Sequence, residues 1–382
     1  MSTLVRGLDP ATGQLLEVTI DTAITRIDRR PAAPGEAGEA GRELPYLAPG
    51  LIDLQVNGFA GIDVNGPEVT AERILEITAV LARRGVTTWV PTVITGSEEA
   101  ICRSLRAVAE ARATSPQLAH AIPFAHVEGP FLSAQDGPRG VHDAAQIRPI
   151  DADEAARWQQ AGPVGIVTLS PHTDDAPAQI ARIVNLGIHV AVGHTHASGP
   201  QLTAAVDAGA TLSTHLGNGI FPQLARHPNP LWTQLAEDRL TCGLIADGHH
   251  LPAETLEVML RAKGVGRAFL VSDATELAGK QPGRYETAVG GTVELSADGR
   301  LSHVGTELLA GAASDVATGL RFVLRATSLS LREALVLVTR TPGAVLGRET
   351  TLHVGAPADL VTLDADGTVQ CIWQHGTELT PA

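Results

Sequence analysis

The sequence is poor in aromatic residues and in lysine. Tryptophan, tyrosine and phenylalanine together make up 3% of the 382 residues, so an aromatic platform that stacks nucleic-acid bases is not expected. Lys263 and Lys280 are the only lysines, and the net charge of −14 argues against a polyanionic partner such as DNA. This charge does not exclude a small anionic substrate, because a few local cations can override the global sign.

Cysteine is also scarce, and long apolar runs are absent. Cys102, Cys242 and Cys371 lie far apart and include no Cys-x-x-Cys pair, which favours reduced thiols over a disulfide framework or a cysteine-rich zinc site. No apolar run reaches membrane-spanning length, and the N-terminal segment lacks the apolar region of a signal peptide. We therefore expect a cytoplasmic protein without a membrane partner.

The middle of the chain, from residue 51 to about residue 346, alternates between short apolar runs and amphipathic helical segments. One helix is predicted over residues 69–84, where Ile74, Ile77 and Leu81 recur at helical spacing. Helical patterns end at Gly85, Gly187, Gly209 and Gly264, each followed by an apolar run such as VTTWVPTVI. Repeated helix–glycine–strand units predict an α/β fold with a parallel sheet. At this length a (β/α)8 barrel of the TIM type is favoured over an open sheet, although the pattern alone leaves closure undecided.

Both ends of the chain consist of short extended segments joined by turns. A surface loop is predicted at residues 30–42, which are rich in proline and glycine. The economical interpretation is that residues 1–50 and 347–382 pair into a small β-sandwich domain. This domain would lie beside a barrel formed by residues 51–346.

Several predicted strands end in acidic or histidine side chains. These are Glu128, His194, His215, Asp247 with His250, and Asp273. In a βα barrel the carboxyl ends of the strands open into one shared mouth, so these side chains are expected to converge. Two imidazoles and a carboxylate can hold Zn²⁺ or a similar ion with one position open for water. Such an ion lowers the pKa of its water and polarises a carbonyl, and a neighbouring aspartate can accept the proton.

Each of these residues also has a simpler interpretation. A single histidine is usually structural or exposed, Asp247 could form a turn, and Asp273 could cap a helix. His126 could share the site or support it through a hydrogen bond, whereas His189 and His196 fit structural or surface roles. The hypothesis therefore depends on the joint placement of the set at successive strand ends rather than on any one member.

The segments HVEGPFLS, GHTHA, THLGNGI, ADGHH, SDAT and LAPGLIDLQVNG together resemble the N-acetylglucosamine-6-phosphate deacetylase family of the amidohydrolase superfamily. The resemblance covers nearly the whole chain, and the motifs occur in the order that is typical of the family. It implies that Glu128, His194 and His215 bind one divalent ion, with Zn²⁺ as the first choice. It further implies that Asp273 is the general base and then the acid, and that His250 polarises the acetamide carbonyl.

The resemblance also implies a set of substrate-binding residues: Gln55, Val141, His142, Asn218, Gly219, Arg226, Leu309, Ala310 and Gly311. Gln55-Val56-Asn57 stands where many superfamily members carry His-x-His for a second metal, which implies a single ion and a water held by Gln55. His142, Asn218 and Arg226 are assigned to the sugar and phosphate. Arg226 would act across a homodimer interface, although from the residues alone it would be a solvated surface arginine.

The implied reaction releases acetate and an amino-sugar 6-phosphate from N-acetylglucosamine 6-phosphate or a close relative. The chain departs from the family pattern at residues 217–220, at His196 and in the loop between Glu128 and His142. These departures concern the pocket rather than the metal, and leave the preferred sugar open. Two alternatives stay open as well: an amidohydrolase for another N-acyl or cyclic amide substrate, and an inactive relative that acts as a binding module.

Overall fold

The computed structural model describes residues 2–33, 43–287 and 291–382, so most of the predicted loop at residues 30–42 lies outside the described residues. The strands, in chain order, are β1 (Thr3–Leu8), β2 (Leu15–Ile20), β3 (Ile24–Arg30), β4 (Tyr46–Pro49), β5 (Leu51–Val56), β6 (Gly58–Phe59), β7 (Ile62–Asp63), β8 (Val86–Ile94), β9 (Ala125–Glu128), β10 (Val164–Leu169), β11 (His189–Val192), β12 (Ala210–Ser213), β13 (Thr241–Ile245), β14 (Ala268–Val271), β15 (Gly283–Thr287), β16 (Gly291–Leu295), β17 (Leu301–His303), β18 (Leu360–Leu363), β19 (Val369–Gln374) and β20 (Thr377–Leu379).

The helices are α1 (Ala71–Ala82), α2 (Glu98–Ala113), α3 (Pro116–Ala121), α4 (Ala152–Ala161), α5 (Ala176–Asn185), α6 (Gly199–Asp207), α7 (Pro230–Ala236), α8 (Ala253–Lys263), α9 (Val316–Ala326), α10 (Leu331–Val338) and α11 (Arg340–Val345). A short 3₁₀ helix, Val265–Arg267, follows α8. Within the described parts of the chain, no helix combines the length and the apolar character needed to cross a membrane.

Eight parallel strands form the barrel that the sequence predicts. Their order is β5, β8, β9, β10, β11, β12, β13 and β14. The barrel closes between β14 and β5, where the amide of Asp273 donates to the carbonyl of Gln55 at 2.9 Å. The amide of Asn57 likewise donates to the carbonyl of Ala274 at 2.8 Å. An apolar cluster that includes Leu54, Ile166, Leu212 and Phe269 draws most of its members from these strands.

The first βα unit shows how local sequence produces the repeat. Thr70 caps α1 by accepting a hydrogen bond from the amide of Arg73, and Ile74, Ile77 and Leu81 lie on its buried face. The helix is shorter than the predicted range of residues 69–84 by two residues at each end. Gly85 follows with φ of +85°, a conformation that favours glycine, and the predicted strand then forms as β8.

Strands from the two ends of the chain form the small β domain, as predicted. They are ordered β20, β19, β18, β4, β1, β2 and β3, so the C-terminal hairpins join the N-terminal strands through the pair β18–β4. The domain has its own hydrophobic cluster, which includes Leu16, Ile20, Leu47, Leu360 and Trp373. The division of the chain after residues 50 and 346 stays a prediction.

An antiparallel sheet of β15, β16 and β17 is inserted between β14 and α9, and the sequence analysis did not anticipate it. Its strands are short and rich in glycine, threonine and charged residues, so they lack the apolar runs that mark the barrel strands. In addition, β15 has no buried residue. A small apolar cluster fixes the insertion: Leu277, Val293, Leu295, Leu301 and Ala310. The insertion lies at the barrel mouth, where Val293 and Leu301 line the same cavity as His194 and Asp273.

A buried carboxyl group lies at the seam where the barrel closes. Oδ1 of Asp53 accepts the backbone N–H of Gln55 at 3.2 Å on β5 and that of Ser272 at 3.1 Å beside β14. The side chain is fully buried, and this burial raises the pKa of Asp53 to about 7 despite these hydrogen bonds. The seam therefore contains a carboxyl group that is protonated well above the pH at which an exposed aspartate ionises.

We predict that Asp53→Asn removes a pH-dependent loss of stability. Between pH 3.8 and about 7, Asp53 is ionised in the unfolded chain but protonated in the fold, so the stability of the native protein falls as pH rises. The variant has no such group. Its free energy of unfolding relative to the native protein should therefore rise by roughly 3 to 4 kcal/mol across this window.

Urea unfolding of both proteins at several pH values measures this difference. The amide group can shift the stability of the variant by a constant amount, but that offset does not depend on pH. Stability curves that run parallel from pH 4 to pH 7.5 would show that Asp53 does not titrate within the seam.

Candidate active site

The side chains of the site extend from the carboxyl ends of four barrel strands. Glu128 is the last residue of β9, whereas His194, His215 and Asp273 each lie two residues beyond the end of β11, β12 and β14. These three residues have positive φ angles of 47°, 26° and 51°. Such backbone costs about 1 to 2 kcal/mol for a residue other than glycine, and it concentrates at functional sites. The same turn at three strand ends thus directs three side chains into the barrel mouth.

Three donor atoms of Glu128, His194 and His215 converge on one point. Oε1 of Glu128 lies 2.9 Å from Nε2 of His215 and 3.3 Å from Nε2 of His194, and the two ring nitrogens are 3.1 Å apart. Ligand atoms bound at 2.0 to 2.1 Å to a tetrahedral ion lie about 3.3 Å from one another. The spacing and chemistry of these atoms therefore fit one divalent ion.

Hydrogen bonds orient the two histidines of this cluster. Nδ1 of His194 donates to the carbonyl of Pro138 at 2.8 Å, which orients the ring so that Nε2 is directed at the cluster. Burial opposes ionisation of Glu128, but the hydrogen bonds from His194 and His215 outweigh it and hold the pKa of Glu128 well below its usual value. Burial lowers the pKa of His215, but its bond to Glu128 raises it to about 9. A bound ion would replace this proton.

Asp273 faces the cluster and is held by two amide side chains. Its Oδ1 accepts from Nδ2 of Asn57 at 2.8 Å and from Nε2 of Gln55 at 3.0 Å. Nε2 of Gln55 also lies 3.1 Å from Oε1 of Glu128, so one amide group contacts both carboxylates. Burial, and then the charge of Glu128, raise the pKa of Asp273 to about 6, a value suited to a general base at neutral pH.

Two further histidines, His142 and His250, border the site. Nε2 of His142 lies 3.3 Å from Nε2 of His194, and the ring is buried, which lowers the pKa of His142 to about 3. The structure thus places His142 beside the predicted metal-binding atoms, whereas the sequence analysis grouped it with the sugar and phosphate. Nδ1 of His250 lies 2.7 Å from Oδ2 of Asp247. Asp247 also accepts the backbone N–H of His250, so it both shapes the turn and orients the ring.

One cavity of about 250 Å³ joins these groups to the predicted substrate-binding residues. Seven of those residues line it: Val141, His142, Asn218, Gly219, Leu309, Ala310 and Gly311. Gly219 has φ of +59°, and a Cβ there would lie 2.7 Å from Nδ1 of His194. A side chain at this position would therefore collide with the ring of His194. Gln55 lies beneath the cavity rather than in its wall, and Arg226 is exposed and does not line the cavity of its own chain.

The sequence analysis missed several groups in the cavity wall. Asp63 and Glu276 lie there with Asn65, and burial raises the pKa of both carboxyl groups. Glu276 follows Asp273 by three residues, so its proximity to a strand end was the only available signal. The apolar part of the wall includes Val293 and Leu301 of the inserted sheet, for which the sequence offered no signal.

Comparison with known protein families and sequences agrees with this geometry. The model of the amidohydrolase family matches residues 46–379. The N-acetylglucosamine-6-phosphate deacetylase of Bos taurus is 35% identical over 348 residues, which cover 86% of this chain and 82% of the relative. The N-acetylgalactosamine-6-phosphate deacetylase of Shewanella sp. (strain ANA-3) is 33% identical, with 88% and 84% covered.

Solved structures give the same relationship. A mutant N-acetyl-D-glucosamine-6-phosphate deacetylase from Mycobacterium smegmatis, in complex with N-acetyl-D-glucosamine-6-phosphate, superposes with a TM-score of 0.85. It is 29% identical, and the match covers 99% of both chains. The chain therefore belongs to the amidohydrolase family, and within it to the family of the N-acetylglucosamine-6-phosphate deacetylases.

Proposed function

We propose that the protein hydrolyses the acetamide of N-acetylglucosamine 6-phosphate to acetate and glucosamine 6-phosphate. The observation that carries this proposal is the position of Asp273 opposite the cluster of Glu128, His194 and His215, in the wall of one cavity. Relatives named for this reaction match most of the chain, and one solved relative holds this sugar phosphate, which supports the choice of substrate.

The proposed cofactor is one divalent ion per chain, with Zn²⁺ as the ion. Glu128, His194 and His215 would hold it, since two imidazoles and a carboxylate form a donor set that catalytic zinc sites use. Bound there, the ion would polarise the carbonyl and lower the pKa of water. By the family resemblance, Gln55 and Asn57 stand where other superfamily members carry the histidines that bind a second ion, and both contact Asp273 instead.

Asp273 moves the proton in this proposal. Its Oδ1 is occupied by the amides of Gln55 and Asn57, which leaves Oδ2 to accept a proton from the attacking water. The same carboxyl group then returns that proton to the nitrogen as the carbon–nitrogen bond breaks. The hydroxyl of the water stays on the acetyl carbon and its proton reaches the nitrogen, so the products are the amine and acetic acid, which ionises to acetate by releasing its proton.

Two histidines are candidates to stabilise the negative charge on the acetamide oxygen. The family resemblance assigns this role to His250, whose ring is fixed by Asp247. His142 also borders the proposed ligand set, with its Nε2 at 3.3 Å from Nε2 of His194. We therefore extend the proposal to His142 as a second hydrogen-bond donor to the oxyanion.

The phosphate of the substrate needs a positive charge to bind it. Among the described residues that line the cavity, however, there is no arginine or lysine from the same chain. We propose that Arg226 supplies this charge to the cavity of a second copy in a homodimer. Its exposure supports this, as does Trp232 on α7, six residues along the chain, which is 48% exposed. A cytoplasmic location is part of the proposal and is supported by the three free cysteines.

Acetate release by the zinc-loaded protein tests the proposed function. The substrates to compare are N-acetylglucosamine 6-phosphate, its galactosamine epimer, for which some relatives are named, and unphosphorylated N-acetylglucosamine. Release from the glucosamine phosphate at the highest kcat/KM supports the proposal. Faster release from the epimer would change the sugar but keep the reaction, and no release from any of the three by metal-loaded protein would refute it.

We predict that Asp273→Asn binds zinc as the native protein does but loses at least about 1,000-fold in kcat, because the amide cannot accept the proton. The carbonyl oxygen of the new side chain can still accept from Gln55 or Asn57, so the fold should be preserved. Zinc content and steady-state kinetics measure the two effects. A variant that keeps a tenth of native kcat would remove Asp273 from the role of base.

Arg226→Ala is expected to raise KM for the phosphorylated sugar by about 10- to 100-fold, because a charge-assisted pair with the phosphate is lost. It should leave the slow reaction with the unphosphorylated sugar unchanged. Arg182→Ala, on the exposed face of α5, is the matched control. Equal effects of Arg226→Ala on both sugars would argue against a phosphate contact.

For His142→Asn we expect a loss of about 100-fold in kcat, with KM changed by less than about threefold, since an oxyanion donor acts mainly in the transition state. Steady-state kinetics at saturating zinc measures both constants. A change confined to KM would instead return His142 to the sugar or phosphate, as the sequence resemblance implied.

A further inference from the structure

Beneath the candidate metal site, three buried side chains from different parts of the barrel form a continuous hydrogen-bonded chain. We call His126 on β9, Thr168 on β10 and Thr214 just beyond β12 the hydroxyl chain. Nε2 of His126 lies 2.6 Å from Oγ1 of Thr168, and this hydroxyl lies 2.6 Å from Oγ1 of Thr214. Their exposed fractions are 3%, 0% and 6%, so water does not compete for these bonds.

The second link of the hydroxyl chain crosses a strand. Thr168 and Thr214 belong to β10 and the end of β12, and β11 lies between these strands. The crossing occurs at Gly193, where a Cβ would lie 2.8 Å from Cγ2 of Thr168 and 2.8 Å from Cβ of Thr214. Any side chain at this position would separate the two threonines. The contact therefore depends on a glycine at the end of the middle strand.

In the sequence, His126, Thr214 and Gly193 each lie within two residues of a proposed metal ligand. His126 is two residues before Glu128, so their side chains leave β9 on the same side. Thr214 immediately precedes His215, and Gly193 at the crossing immediately precedes His194. Each proposed ligand thus lies within two residues of a member of the hydroxyl chain or of Gly193, where the chain crosses β11.

The ligands need this kind of support because their backbone is strained. His194 and His215 have positive φ angles, and such residues persist only where the surrounding structure fixes them. Backbone bonds join neighbouring strand ends, such as the amide of Thr214 to the carbonyl of Val192 at 2.9 Å. The second link of the hydroxyl chain adds a connection between β10 and the end of β12, which are not neighbours.

We propose that the hydroxyl chain is a positioning device for the metal ligands, which fixes the spacing of β9, β10 and β12 so that the three donor atoms stay within binding distance of one ion. The inference rests on the ligand set of the proposed function. His126, Thr168 and Thr214 are positioning residues, since they act through Glu128, His194 and His215. Supporting groups of this kind change metal affinity by about 10- to 100-fold.

Thr168→Val is the direct test, because valine keeps the shape of threonine and removes both hydrogen bonds. We expect the dissociation constant for Zn²⁺, measured by competition with a chelator, to rise about 10- to 100-fold. The visible absorption spectrum of the Co²⁺-loaded variant should also change, as the ligand geometry loosens. Thr168→Ser restores the hydroxyl and should return the affinity to within about threefold of the native value.

Thr78→Val is the matched control for a purely structural loss. Oγ1 of Thr78 accepts from Nε1 of Trp89 at 3.0 Å and donates to the carbonyl of Ile74 at 2.8 Å. This buried threonine on α1 thus loses two hydrogen bonds as well, but it touches none of the ligand residues. We expect it to lower stability and to leave the affinity for Zn²⁺ and the Co²⁺ spectrum unchanged.

An affinity and a spectrum of Thr168→Val that match those of the native protein would overturn the inference, and so would equal losses of affinity in Thr168→Val and Thr78→Val. If Thr168→Val does not fold, Thr214→Val, which breaks only the second link, decides in the same way. Failure of the native protein itself to bind Zn²⁺ would refute the proposed ligand set instead. The two failures are therefore distinguishable.

Discussion

Closure of the barrel between β5 and β14 is the contact on which the site depends. Along the sheet, β14 lies five strands away from β9, which carries Glu128, but across the closure it lies only three away. The backbone bond from Asp273 to Gln55 fixes this shorter path. It allows the side chain of Gln55 to contact Asp273 and Glu128 together, so the candidate base and a candidate ligand are held by one amide group.

The charges of the site are balanced locally rather than by the protein as a whole. The chain carries a net charge of −14, and Glu128, Asp273, Asp63 and Glu276 all border the proposed substrate cavity. A sugar phosphate would be repelled by this environment unless cations offset it. The proposed ion and Arg226 would supply that charge from opposite ends of the substrate, which explains why an acidic protein can bind an anion.

The acidic and histidine side chains at the strand ends could be predicted because their positions follow from the local pattern of apolar runs. Glu128, His194, His215 and Asp273 each close an apolar run, and the rule that barrel strands share one mouth brings them together without further information. The two chain ends were likewise predictable as one small domain, because their strand and turn signals are similar in kind.

Features that depend on tertiary context could not be predicted in this way. His142 lies in a loop without periodicity, so its place beside His194 required the folded chain. The inserted sheet lacks apolar runs, so nothing in the sequence indicated that it lines part of the cavity. The hydroxyl chain depends on the absence of a side chain at Gly193, a reason for glycine that has no local signature.

The most direct test of the central claim, that one ion on three strand ends organises catalysis, is a titration of metal-free protein with Zn²⁺. Bound zinc and acetate release from N-acetylglucosamine 6-phosphate are measured on the same samples, with Glu128→Gln in parallel. The account predicts that activity rises in proportion to bound zinc and reaches its maximum at one ion per chain, and that Glu128→Gln binds far more weakly. Full activity without zinc, or a maximum that requires two ions per chain, would contradict it.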